Sequence, residues 1–368
     1  MMRRLIHDDL VERLSMAADP EATGEWPTER LARLIEAGGF RWGLPPELGG
    51  IEVSDAELLN AYIDLARCCL TTAFVLTQRN AACQRIAASP NERLRKRFLS
   101  EHCAGRQLAT VGISHLSTSR QHWSRPSVVV TPIEGGYELS GEAPWVTGGL
   151  HADLLVTGGS LPDGLQILLA IPTDRAGLTM GDPLRLLALN GSRTGSALLD
   201  RVAVDSGEVL TGPVERVMQV GATGGTGSLT TSAVALGAAA HSLAGLVEES
   251  ILRRELVPVV DELQAEHSRL KADLLRAATL THGTDDSKTL AEQLRFRANS
   301  LVSRAALAWM TSAKGAGYVM GHPAERALRE AMFFHVWSCP PAVATATLKD
   351  FVCSPLRTGD MTSNRADP

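Results

Sequence analysis

The chain has 368 residues, 44% hydrophobic and 21% charged, with a formal net charge of −5. It is long enough for two or three packed layers around a large core, and its composition is that of a globular protein. Neither sign of charge forms the basic stripe that a nucleic-acid partner needs, and no apolar run reaches the roughly 18 residues of a membrane span. The two arginines of the opening MMRRLIHDDLVERL precede no signal-like apolar stretch, which leads to the expectation of a cytoplasmic protein. Cys68, Cys69, Cys83, Cys103, Cys339 and Cys353 form no CxxC pair, and the ten histidines show no HxxxH or HExxH spacing. Reduced thiols and no metal site are expected.

Residues 1 to about 107 read as helical. Residues 29–38 (ERLARLIEAG) carry apolar side chains at helical spacing and stop at Gly38-Gly39. The stretch GLPPELGG (43–50) is too rich in Pro and Gly for either element. Helical spacing returns at 56–66, 71–88 and 92–99. Residues 108 to about 214 change character. SVVVTPI (127–133), the turn Glu134-Gly135-Gly136 and the alternation over 137–140 predict a hairpin, and 154–157, 166–171 and 196–204 predict further short strands. An antiparallel middle domain follows from these. From about 215 to 368 the chain is helical again, with a glycine-rich lead-in at 221–227. Periodic segments at 229–252, 259–280, 287–313 and 324–335 predict an antiparallel four-helix bundle, and the last dozen residues a loose tail.

This order, a helical domain, a β domain and a four-helix bundle, resembles the acyl-CoA dehydrogenase superfamily. Local motifs agree. Gly43-Leu44-Pro45 through Glu47 to Gly49-Gly50 is similar to the family's G-hydrophobic-P loop. Pro144-Trp145-Val146-Thr147-Gly148 resembles its W-hydrophobic-T strand. Residues 187–212 resemble the close of its β domain, and GAGYVMGHPAERALREA (315–331) its G-x-G-Y...R-D-A segment, with Glu330 where Asp is usual. The resemblance implies bound FAD, a homodimer or homotetramer, and a small-molecule substrate carried on CoA or another carrier. It implies that Trp145, Val146 and Thr147 lie against the flavin, with the Thr147 hydroxyl near N5, and that the backbone of 111–114, including Ser114, meets the polar edge of the ring. It further implies that Arg253 and Gln264 bind the neighbouring subunit's FAD and that Thr311 to Gly315 meets its adenosine half. An Arg253-Arg254 pair equally suits a solvated helix face.

The chain also departs from the family. Counted from Gly317-Tyr318 and Arg329-Glu330-Ala331, the family's catalytic carboxylate falls on Ser338. The alternative carboxylate site falls on Thr230, and the adjacent arginine is replaced by Thr231. The cover loop is replaced by 113–120 (ISHLSTSR), in which Arg120 adds a charge suited to a substrate anion or to a surface pair. A serine hydroxyl cannot act alone as the base that removes a proton beside a thioester. His335, three residues before Ser338, and His115 in the loop are candidate replacements, each also readable as a histidine bonded to a backbone carbonyl. Cys339 lacks the electropositive setting of a nucleophile. Three functions compete: a dehydrogenase with a relocated base, passing electrons to a protein partner; a monooxygenase fed by a flavin reductase; and a flavin-binding subunit without catalysis of its own.

Overall fold

The computed structural model describes residues 2–117, 125–220, 229–280 and 284–353, so Arg120, the glycine-rich lead-in, the C-terminal tail and the Cys353 side chain lie outside the described residues. Helices α1 (Asp8–Met16), α2 (Pro20–Thr23), α3 (Thr28–Glu36), α4 (Asp55–Cys68), α5 (Leu70–Ala88) and α6 (Glu92–Cys103) come first. Strands β1 (Ala109–Gly112), β2 (Val128–Ile133), β3 (Gly136–Val146), β4 (Leu154–Ser160), β5 (Gln166–Pro172), β6 (Leu178–Met180), β7 (Gly195–Asp205) and β8 (Val209–Val214) follow. Helices α7 (Leu229–Leu252), α8 (Val257–Ala277), α9 (Asp285–Ala313), α10 (Pro323–Phe333) and α11 (Pro341–Cys353) complete the described chain.

Local chemistry explains several boundaries. Ser54 and Glu57 form a reciprocal capping box at the start of α4. Thr284 caps α9, whose first turn carries Asp285 and Asp286 against the helix dipole. Pro323 occupies the first turn of α10, where its missing N–H is harmless.

The sheet runs β6-β7-β3-β2-β4-β5-β8, with β1 paired to β4. Most neighbours are antiparallel, but β1 runs parallel to β4 from Ala109↔Leu154 to Gly112↔Thr157, and β2 touches β4 in parallel at Val129↔Ser160. The sheet is therefore mixed where an antiparallel one was expected. The four residues of β1 are all buried, so they show no alternation that could announce a strand, still less its direction.

The N-terminal helices and the bundle share one apolar core: Leu59, Tyr62 and Ile63 of α4 join Val234 and Leu236 of α7 and Leu301 of α9. By length and composition α7 is apolar enough to cross a membrane, yet most of that stretch is buried inside this core. Two glycines let it approach its neighbours. A Cβ on Gly237 would stand 2.4 Å from the Ile63 carbonyl oxygen, and one on Gly245 would stand 2.1 Å from the Trp309 ring. Gly245→Ala should therefore destabilise the protein by about 2 kcal/mol: overpacking costs about 3, and helix propensity returns about 1. Denaturant midpoints check this, and an unchanged or raised midpoint would refute the close packing.

Candidate active site

One cavity of about 2360 Å³ lies between α5, the sheet where β1 and β3 end, and the end of α10. A small-molecule pocket is typically ~300–1,000 Å³, so this volume suits a large cofactor and a substrate together. Ser114, Trp145 and Thr147 line it from the sheet side, and Thr230, Thr231 and Ser338 from the helical side.

The sheet side is shaped by an irregularity in β3. Its pairing with β7 slips between Pro144 and Val146, and Trp145 takes a positive φ of 62°. That turns the Trp145 ring outward, half exposed, while Val146 points into the core below and does not line the cavity. Thr147 follows, buried, its carbonyl held by the Thr110 hydroxyl at 2.7 Å and its own hydroxyl 3.1 Å from that of Thr194. The Ser114 hydroxyl donates to the Pro144 carbonyl at 3.0 Å, which ties the loop after β1 to the same strand. Left-handed backbone is costly for residues with a Cβ. Trp145, Leu189, Arg216 and Ser338 all adopt it, and all four line this cavity. Such strain persists where surrounding structure holds it, and functional sites are where it concentrates.

Ser338 sits on the other wall. Helix α10 ends at Phe333, and a buried arginine from α9 seizes the carbonyls that follow: Arg295 Nη2 donates to the Phe334 and Trp337 oxygens, both at 2.9 Å. Asn299 adds a bond to the Phe334 oxygen at 3.0 Å. Burial pushes the Arg295 guanidinium down to about 10, still charged at neutral pH. These donors cap the helix end and fold the chain back, so that Trp337 and Ser338, the latter at φ 46°, face the cavity. Phe74 of α5 packs edge-on against Phe333 and Trp337, giving this end an aromatic wall.

The early end of α10 corrects the placement of His335. A continued helix would set it on the face of Ser338. Instead its Nε2 bonds the Ser303 hydroxyl at 2.7 Å, and it does not line the cavity. Burial, then the charge of Arg295, pushes its pKa below the usual histidine value. His115 is buried with Nε2 2.9 Å from the Gly158 carbonyl oxygen, and its neighbours Ser114 and Leu116 face the cavity in its place. Arg253 pairs with Glu249 and donates to the Ser312 carbonyl at the shared end of α7 and α9. Gln264, Thr311 and Gly315 are exposed and, like Arg253, lie off the cavity wall. Beside them Ile251, Leu252, Tyr318, Val319 and Met320 form an exposed apolar surface, Leu252 at 91% and Tyr318 at 80% exposure.

Some lining residues carried no motif. On α5, Phe74, Gln78, Ala81, Arg85 and Ala88 recur at helical spacing along the cavity. Gln78 and Arg85, polar side chains on the same face as apolar Phe74, Ala81 and Ala88, were the available signal. The Arg85 guanidinium donates to the Ala81 carbonyl at 2.9 Å, and burial lowers it to about 10. Among the described residues, the carboxylates lining the cavity are Glu52, Asp55 and Glu292.

Residues 1–106 match the acyl-CoA dehydrogenase N-terminal domain. Over 358 residues the chain is 24% identical to the probable acyl-CoA dehydrogenase YngJ of Bacillus subtilis, covering 91% of this chain and 93% of that protein. A 103-residue stretch, 26% of this chain and 25% of the relative, is 35% identical to dibenzothiophene monooxygenase of Rhodococcus erythropolis. The butyryl-CoA dehydrogenase structure from Megasphaera elsdenii shares the fold at a TM-score of 0.80 and 18% identity, covering 95% of this chain and 96% of that one. In its N-terminal domain, in a near full-length relative and in the order of its helical, sheet and bundle units, the chain is similar to the acyl-CoA dehydrogenase superfamily.

Proposed function

We propose that the protein is a flavin-dependent oxidoreductase that binds FAD in this cavity and oxidises an acyl thioester or a related small substrate. The observation that carries the proposal is the convergence of Ser114, Trp145 and Thr147 with Ser338 on opposite walls of one 2360 Å³ cavity. An exposed indole offers a flat face to a ring system, and nearby hydroxyls offer directed hydrogen bonds. Bound flavin would supply the hydride acceptor. The chain's own residues would hold the ring at Trp145 and Thr147, hold substrate against the Phe74–Phe333–Trp337 wall, and keep water out.

A second reading is a monooxygenase working with reduced flavin supplied by a partner reductase. It is favoured by the serine at 338 and the threonine at 230, which leave these two positions without a base, and by the likeness to dibenzothiophene monooxygenase. Anaerobic titration with acyl-CoAs separates the two. Bleaching of bound FAD supports the dehydrogenase. Oxygen uptake that requires added reductase and NADH supports the monooxygenase. Failure to bind flavin at all would sink both. Trp145→Ala should weaken FAD binding by about 5- to 150-fold, since stacking of a base on an aromatic side chain contributes about 1–3 kcal/mol.

The apolar surface of Ile251, Leu252 and Tyr318 to Met320, next to Arg253, Thr311 and Gly315, suits a second copy of the chain. A monomeric mass by sedimentation would exclude that assembly.

A further inference from the structure

Three buried hydroxyls form a chain that ends at the cavity. Ser192 Oγ lies 2.8 Å from Thr194 Oγ1, which lies 3.1 Å from Thr147 Oγ1. Thr147 and Thr194 line the cavity, and Ser192 is fully enclosed behind them. In each contact either oxygen can be the donor.

Three hydroxyl protons serve two links, so the chain can run in either sense. Outward, Ser192 donates to Thr194, Thr194 donates to Thr147, and the Thr147 proton remains for a ligand in the cavity. Inward, Thr147 donates to Thr194 and Thr194 to Ser192, and Thr147 presents lone pairs to the ligand. Only hydroxyl rotors turn; no heavy atom moves. The backbone around the chain is fixed. Thr110 holds the Thr147 carbonyl, the Gly148 amide donates to the Ser192 carbonyl at 3.0 Å, and the Ser192 amide donates to the Leu189 carbonyl at 2.9 Å. Glu21 of α2 clamps the turn that carries Ser192: it accepts from the Asn190 amide at 2.9 Å and from Arg329 of α10 at 3.1 Å.

Flavin presents opposite needs at one atom. N5 is a hydrogen-bond acceptor in the oxidised ring and an N–H donor in the reduced ring. Given the flavin site proposed above, we propose that Ser192-Thr194-Thr147 is a reversible hydroxyl chain that lets Thr147 donate to the oxidised ring and accept from the reduced one. A buried hydroxyl that accepts from N5–H must still place its own proton, and a hydroxyl left without an acceptor in such a site is penalised. Thr194 supplies that acceptor and Ser192 the next, which moves the unmatched proton two links away from the ring, to Ser192. Both are positioning residues that act through Thr147.

The test uses the full chain loaded with FAD. Thr194→Val keeps the shape and removes the hydroxyl, Thr194→Ser keeps the hydroxyl, and Ser192→Ala shortens the chain by one link. FAD affinity is measured first, then the midpoint potential by equilibration with a reference dye. Thr194→Val should hold FAD affinity within about twofold, yet move the oxidised-to-reduced ratio at fixed poise about tenfold toward oxidised, about 30 mV for a two-electron couple. Thr194→Ser should restore the wild-type value, and Ser192→Ala should give a smaller shift of the same sign. Should Thr194→Val not fold, Ser192→Ala carries the same test. FAD bound normally with no shift in these variants overturns the chain while leaving the flavin site intact. Wild-type protein that binds no FAD overturns the flavin site, and the chain with it.

Discussion

Glu330→Gln should make the protein more stable above pH 7 and leave its stability near pH 4.5 almost unchanged. Glu330 is buried on α10, with Arg326 Nε 3.1 Å away. Burial raises its carboxyl to about 7 from an ordinary 4.5, and Arg326 pulls only part of the way back. Glu21 and Asp19 raise it further, and Arg329 opposes them. Both arginines are already engaged, Arg326 with Asp19 and Arg329 with Glu325 at 2.7 Å and Glu21 at 3.1 Å. Cys69 also faces the group, but burial raises its thiol and keeps it neutral. Below pH 4.5 the carboxyl is protonated in both folded and unfolded chains and contributes nothing. Between 4.5 and 7 the unfolded chain ionises while the folded one stays protonated, so stability falls as pH rises. Above 7 the loss levels off at about 3 kcal/mol, from 1.36 kcal/mol per pKa unit. Glutamine carries no such charge. Urea denaturation of both proteins at pH 5 and pH 8 measures the difference. A gap between them that does not grow with pH would mean Glu330 ionises freely in the fold.

That environment also shows how far sequence can reach. Periodicity located α4, α5, α7 and α9, because their apolar spacing is local. The turn Glu134-Gly135-Gly136 located the β2–β3 hairpin, because a tight turn carries its own residue signature. The W-hydrophobic-T strand and Ser338 were found from motif order, and both line the same cavity. Other features depend on partners far along the chain. Strand β1 pairs with residues about 45 positions later, and nothing within its four residues announces that partner. The orientation of His335 depends on where α10 stops, which Arg295 decides from another helix. The setting of Glu330 is made first by burial and then by Glu21 and Asp19, about 310 residues earlier. Arg85 entered the cavity unannounced because an arginine on a helix of mixed polarity, with Arg79 a turn and a half earlier, reads equally well as a surface charge. Local pattern reports elements; it does not report what distant segments bring to a buried group.

Ser338→Glu should confer or sharply raise anaerobic reduction of bound FAD by acyl-CoA, by about 10²–10⁴-fold, the range general-base catalysis supplies. The position lines the cavity, and its turn is held by Arg295 and Asn299, so a longer side chain is delivered from a fixed backbone. Residue 338 is already left-handed at φ 46°, so glutamate brings no backbone strain that serine did not carry. The aromatic wall of Phe74, Phe333 and Trp337 gives a carboxylate little hydration, which raises its pKa and strengthens it as a base, so the gained rate should climb with pH through a value above that of ordinary glutamate. Ser338→Gln is the control: it matches the size and has no base, and it should gain nothing. If Glu and Gln behave alike, residue 338 does not face the reacting carbon, and the register that places Ser338 at the family's carboxylate position is wrong. If Glu alone gains activity, the rest of the cavity still presents a thioester to flavin, and the serine is what limits dehydrogenation of that thioester in the native protein.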